Sequence, residues 1–425
     1  MSFRITTNGM FHSYRGNLSR ANKNLFHTMT QVQTERKFNS YAEDPAAANR
    51  AFQMRRSYWN TGNQMDNSKY LLAKFQTGWD ALDSIVDGDV DNPGLDGILS
   101  SLRAITDTAG SGRSILGQTL KSTAEAIVGA MNVRYGDTYV FAGANGLDVP
   151  FTWRTGTDEY GNEIRILQYR GVDVDTPTPA AAFEQLKAAS TLDDTSSMEA
   201  PLTKEEFEKR QESDKPMLFN DFDEYKDFYA QENKVDSAAL DEYYANRANY
   251  AKLEEMNNES TLVDIGLGFR LNDDGKTINP ATAYNSALSG IQVLGFGVDD
   301  DGDAKNIVSL MRELGEIFNR CDPDSGEYKY EGDKERAEAL IGKLHSAVGR
   351  VQEQHAILDG KSDYLQKNLT QLGDNKFNLN EEILNVEEMD MAEAIQNMMW
   401  AQYTYNAALR IGTQILSQSL FDYLG

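Results

Sequence analysis

The segment FHSYRGNLSRANKNLFHTMTQV (residues 11–32) places Phe11, Tyr14, Leu18, Ala21, Leu25, Thr28 and Val32 at alternating steps of three and four. That spacing keeps side chains on one seam of a coiled helix, so the stretch predicts a helix in need of a partner helix. The rhythm returns near the other end in Met391, Ile395, Met398, Gln402, Tyr405, Leu409, Gly412 and Leu416, and Leu420 extends it. Residues 1–75 hold 11 Lys/Arg against 4 Asp/Glu, a balance of +7, and residues 376–425 hold 2 against 7, a balance of −5. Opposite charge suits the two segments to each other.

Working inward, Ser40–Asp44 interrupts the first pattern, and Asp44 followed by Pro45 reads as an N-cap and first helical residue. A long seam follows in Met54, Tyr58, Thr61, Met65, Ser68, Leu72, Phe75, Trp79, Leu82 and Val86. Its counterpart runs through Ala337, Leu340, Leu344, Ala347, Val351, Gln354, Leu358, Lys361, Leu365 and Leu372. A third helical region is expected over residues 95–134, with a weak point at Gly110–Gly112. Near Gly136 the period changes. Thr138–Ala142, Ile164–Tyr169 and Leu262–Leu271 read as strands, and Pro280–Leu294 and Ala304–Arg320 as short helices. Residues 201–260, with 16 acidic and 8 basic side chains and weak periodicity, read as a solvated, partly helical insertion.

The expected fold is therefore mainly α: a long helical bundle or coiled coil formed by both ends of the chain, with an inserted mixed β-containing domain. The expected divisions are an assembly helix and linker at 1–44, a helical rod at 45–136 and 301–378, the inserted domain at 137–300 with an acidic segment at 181–260, and a second assembly helix at 379–425.

Across 425 residues, 41 basic and 66 acidic side chains leave a formal charge of −25. That balance argues against wrapping nucleic acid or adhering to an anionic membrane by charge alone. No window reaches the roughly 18 apolar residues of a membrane span, and residues 1–10 lack the pattern of a cleaved secretory signal. The lone Cys321 excludes an internal disulfide and a multi-cysteine metal site.

Several stretches carry a family likeness. The start at Phe3–Met10 continues into Asn17-Leu18, and residues 34–48 read TERKFNSYAEDPAAA. Tyr139-Val140-Phe141-Ala142-Gly143 is followed by Pro150-Phe151, and Asp390–Ile395 precedes the ending Ser419–Leu424. Together these resemble the flagellin superfamily and, within it, the hook-associated proteins of the hook-filament junction. The likeness covers residues 1–150 and 262–425. Glu35 stands where that family's linker carries Gly, and Ala42-Glu43 where it carries Ser-Asp. The resemblance implies an extracellular structural subunit, exported without a cleaved signal through the flagellar type III apparatus with the help of a chaperone. Its implied partners are like subunits in a ring, a neighbouring hook-associated protein and flagellin. Filament flagellin is the alternative within the family; a soluble enzyme with its site in the central insertion is the alternative outside it.

No catalytic constellation emerges. None of His12, His27, His345 and His355 begins a His-Glu-x-x-His motif. Asp299, Asp301 and Asp303 imitate the start of a calcium loop, but Ala304 and Leu310 stand where it needs glycine and glutamate, so a solvated turn is expected. Gly275-Lys276-Thr277 lacks the preceding glycine of a phosphate loop and reads as a turn. No cofactor or metal is expected. The residues expected to make subunit contacts are Phe11, Tyr14, Leu18, Leu25 and Val32 at one end, and Ile395, Met398, Tyr405, Leu409, Leu416 and Leu420 at the other.

Overall fold

The structure, a computed structural model, describes residues 7–89, 92–105, 112–157, 163–211, 219, 221–322 and 324–424, with side chains at 7–8, 88–89, 92–93, 104–105, 157 and 415–424 excepted. The fold is mainly α, with only small antiparallel sheets. The chain divides into two compact units, residues 1–66 with 369–425 and residues 67–368.

In the first unit, α1 (Thr7–Thr34) pairs with α12 (Met391–Leu424). The beginning of α2 (Pro45–Val86) and the end of α11 (Asp333–Glu387) complete it. Both chain segments leave the helix at the same level and are stitched there. Arg36 bridges Glu388, Lys37 N donates to the Glu387 carbonyl at 2.8 Å, and Met389 N donates to the Glu35 carbonyl at 3.0 Å. Asp44 Oδ1 accepts from Ala46 N at 3.1 Å and Ala47 N at 2.9 Å, starting α2 as its N-cap. Glu35 takes a φ of 58°, the left-handed region that glycine enters freely. Because a side chain there costs about 1 kcal/mol, Glu35→Gly is expected to stabilise this joint by about that amount. Slower hydrogen exchange of the Lys37 and Met389 amides would register the gain.

The long seams hold. Every predicted seam position of α2 from Met54 to Val86, and of α11 from Ala337 to Leu372, is buried or half-buried. Ser68, fully buried, donates to Asn368 Oδ1 at 3.0 Å, a polar layer that sets the register of α2 against α11.

The second unit has its own core, built around Phe75 and Leu82 of α2, Leu95, Ile98 and Leu102 of α3 (Leu95–Ile105), and Leu120, Ile127 and Met131 of α4 (Gly112–Met131). Before α3 come the paired two-residue strands β1 (Gly88–Asp89) and β2 (Asn92–Pro93). Of the predicted weak point, Gly110 and Ser111 lie outside the described residues. The short pair β3 (Arg134–Tyr135) and β4 (Thr138–Tyr139) precedes a three-stranded sheet of β5 (Phe151–Thr157), β6 (Glu163–Tyr169) and β7 (Val172–Asp173). β5 and β6 pair antiparallel with Phe151 opposite Tyr169, and the buried Tyr169 Oη donates to the Phe141 carbonyl at 2.9 Å.

Three predictions need correction. The strand expected at Thr138–Ala142 is two residues long, because Gly136 and Gly143 turn the chain at positive φ on either side. The strand expected at Leu262–Leu271 shrinks to β8 (Leu262–Val263) before Gly266 and Gly268, also at positive φ, end the pairing. Pro280–Leu294 is a 3₁₀ turn, the strand β9 (Tyr284–Asn285) paired with β8, and only then a short helix.

The acidic segment also differs from its reading. After α5 (Pro179–Ala188), helices α6 (Lys204–Gln211), α7 (Phe222–Glu232) and α8 (Ser237–Asn257) close over a second core of Phe207, Tyr225, Tyr229, Leu240 and Tyr243. Each helix contributes few apolar residues, so no single window shows a strong period. Tyrosine lets the core form: Tyr229 Oη donates to the Glu199 carbonyl at 2.6 Å and Tyr244 Oη to the Leu202 carbonyl at 3.0 Å.

After α9 (Gly290–Leu294), the strongly amphipathic α10 (Ile307–Arg320) packs on α4. Asn306 caps it, Oδ1 accepting from Val308 N at 2.9 Å while Nδ2 donates to the Gly295 carbonyl at 2.7 Å. Beside that cap, Ser309 Oγ donates to Asp175 Oδ2 at 2.6 Å, and Asp175 Oδ1 is buried without a partner. Burial raises the Asp175 carboxyl from 3.8 to about 6. A raised acid contributes stability below its unfolded value and loses it as pH rises through the folded one. Asp175→Asn is therefore expected to stabilise the protein by about 3 kcal/mol above about pH 7, with the gap closing by about pH 4. Urea denaturation across that range reads it.

Candidate functional site

The pair α1 and α12 has an inner and an outer face. On α12 the inner seam is Met391, Ala394, Met398, Ala401, Tyr405, Ala408 and Gly412, all buried or half-buried. Four of these seven are alanine or glycine, so α1 approaches closely. Tyr14 of α1 packs against Gly412, where a Cβ would collide with its ring. On α1 the matching face is Tyr14, Leu18, Leu25, Thr28 and Val32, of which Thr28 is the most buried at 8% exposed. Thr28 Oγ1 donates back to the Asn24 carbonyl at 3.0 Å, satisfying its hydroxyl within the helix.

The α12 heptad shares only half of its positions with the buried face. Met398 and Tyr405 lie on the inner seam, whereas Ile395 and Leu409 are 42% and 40% exposed. Phe11 is also exposed, and the side chains of Leu416 and Leu420 lie outside the described residues. The outer faces carry large side chains that the sequence reading passed over: Phe26 and Met29 on α1, and Met399, Trp400, Tyr403 and Ile411 on α12. Trp400 is 64% and Tyr403 65% exposed, and their rings meet edge to face with centroids 6.5 Å apart. Their signal was the aromatic content of α12 itself, since a helix with apolar residues all round has more than one partner.

Charge is arranged differently from the expectation. Among the described residues, Arg15, Arg20 and Lys23 of α1 form no ion pair with α12. The acidic surplus instead clusters at the joint, where Glu387 pairs with Arg55 of α2. Lys376 lies 4.9 Å from the Tyr58 ring centroid in the same unit, a cation held by an aromatic face.

The three aspartates of the imitation calcium loop do converge, and the protein supplies the cation. Lys343 Nζ sits 2.7 Å from Asp299 Oδ2 and 2.9 Å from Asp301 Oδ2, and also pairs with Asp303, which Arg336 holds as well. Burial pulls the ammonium down, but hydrogen bonds to the three carboxylates outweigh it and push it up. Burial would raise Asp303, and the bonds from Arg336 and Lys343 instead hold it below its ordinary range. The arrangement is a structural ion-pair network. At Gly275-Lys276-Thr277, Asp274 Oδ1 accepts from Lys276 N at 2.8 Å and Thr277 N at 2.9 Å, which makes a turn.

Among the described residues, no helix is long and apolar enough to cross a membrane. No protein-family model matches the chain, and no curated protein does. Among solved structures it is similar to one described as "Structure of putative flagellar hook-associated protein from Vibrio parahaemolyticus". The two are 11% identical with a TM-score of 0.46, over 81% of this chain and 100% of that one.

Proposed function

We propose that this chain is a structural subunit of the bacterial flagellum, of the hook-associated protein 3 type, joining hook to filament through its paired helices α1 and α12. One observation carries the reading: the pair buries a small-residue inner seam and still presents Trp400, Tyr403, Ile411, Phe26 and Met29 to solvent. An apolar surface of that kind marks a site of association. The linker and ending motifs that resemble the flagellin superfamily support the flagellar setting. The subunits stack heterologously about an axis, with like copies in a ring and a second hook-associated protein and flagellin as neighbours. Phe11, Ile395 and Leu409 face those neighbours. Tyr14, Leu18, Leu25, Val32, Met398 and Tyr405 shape the pair that presents the contacts.

Removal of residues 380–425 tests this. The expected result is a second unit, residues 67–368, that stays folded by circular dichroism, and cells that cannot retain filaments. Normal filament attachment by the truncated chain overturns the proposal.

A further inference from the structure

A recess of about 300 Å³ opens within the second unit, lined by Asn67, Tyr70, Lys74, Thr138, Ala144 and Thr261, among others. Its cation is Lys74, half-buried on α2, whose ammonium makes one long hydrogen bond, 3.3 Å to the Ser286 carbonyl. No carboxylate among the described residues pairs with it. The acid bound to the recess wall is already spent. Glu259 accepts from Ala144 N at 2.7 Å and holds Arg170 Nη1 at 2.7 Å through both oxygens. Burial alone lowers the Lys74 ammonium, as expected of a cation taken from water without a countercharge.

Lys361, across the same core, is a useful contrast. It too is lowered by burial, but its Nζ lies 5.8 Å from the Phe75 ring centroid, so an aromatic face supports it. Among the described residues no aromatic face supports Lys74 in this way. Around it the recess offers hydroxyl and amide groups, with Tyr70 Oη and Thr138 Oγ1 3.3 Å apart. A half-buried ammonium among neutral groups, with Leu71 and Val263 on the same wall, is complementary to a carboxylate carried on an aliphatic stem.

We infer that the Lys74 recess receives an aspartate or glutamate side chain from a second copy of this chain, a contact that rests on the assembly reading above and assigns it a specific anchor. The chain itself is a donor of carboxylates, since its 66 acidic side chains outnumber its 41 basic ones. The recess is larger than a carboxylate group needs, and so admits the stem of the incoming side chain and its neighbours.

The test mixes equal amounts of unlabelled and ¹⁵N-labelled full-length chain at concentrations that favour self-association, applies a carbodiimide, and sequences the cross-linked peptides. The expected product joins Lys74 of one isotope to an Asp or Glu of the other. Lys74→Met, which keeps the stem and loses the charge, should lose that product and weaken self-association about tenfold with an unchanged circular dichroism spectrum. Mixed-isotope cross-links that never involve Lys74 overturn this inference and leave the assembly reading standing. No mixed-isotope cross-link anywhere overturns both. If succinate raises the melting temperature of the wild type, but not of Lys74→Met, without any Lys74 cross-link between copies, the recess takes a small organic acid and the second-copy inference falls.

Discussion

Replacing Trp400 and Tyr403 together by aspartate is expected to abolish the proposed incorporation into the flagellum while leaving helix content unchanged. Both rings project from the outer face of α12, so α1 does not lose its partner when they go. What is lost is contact area. Buried aromatic anchors contribute about 2 kcal/mol or more each to an interface, and a carboxylate forced into the same site adds a desolvation penalty. Together these amount to about 4 kcal/mol or more, roughly a thousandfold in affinity. Gly412→Leu makes the instructive comparison. It strikes Tyr14 on the inner face, so the α1–α12 pair itself should open and helix content should fall. Circular dichroism and a motility assay on the same variants separate the two routes to loss of the proposed assembly.

Gly315→Val is expected to destabilise the second unit by about 3 kcal/mol. α4 and α10 cross where Gly117 faces Gly315, and each backbone occupies the space a side chain would need. A Cβ on Gly315 would lie 2.9 Å from the Gly117 carbonyl oxygen, and one on Gly117 2.9 Å from the Gly315 carbonyl. Neither carbonyl can rotate away, because both belong to helices. The crossing must widen, separating Leu116 and Leu120 from Leu314 and Phe318 in the core. Gly342→Ala on α11 serves as the control, since nothing lies within 4 Å of its added Cβ. That change should stabilise by about 0.5–1 kcal/mol through helix propensity. Urea denaturation of the two variants should move in opposite directions.

How much of this was legible in the chain depends on what carries each element. The seams of α2 and α11 could be read because large residues such as Phe75, Leu82, Leu358 and Leu365 mark the period without ambiguity. The face of α12 is legible only in part, for the converse reason. Three of its seven inner positions are Ala394, Ala401 and Ala408, which a search for large apolar residues passes over in favour of Ile395 and Leu409 on the flank. Small residues bury by letting backbones approach, and that signal is geometric. The core of α6–α8 was hidden similarly, its aromatics distributed over three short helices that only the fold brings together.

Polar clusters fared according to their sequence separation. The three aspartates at 299, 301 and 303 could be picked out locally, but Lys343, which neutralises them, comes from α11. The Lys74 recess has no local signature, since α2, β4 with the loop after it, β8 and the segments flanking β8 and β9 each supply part of its wall. Glu35 was visible as a departure from a family motif, and its φ of 58° gives that departure a physical meaning.

Immunogold labelling of intact cells with an antibody against residues 201–260 tests the proposed flagellar role by locating the chain. A single focus where hook meets filament is the expected result. Label distributed along the whole filament, or confined to the cytoplasm, would contradict it.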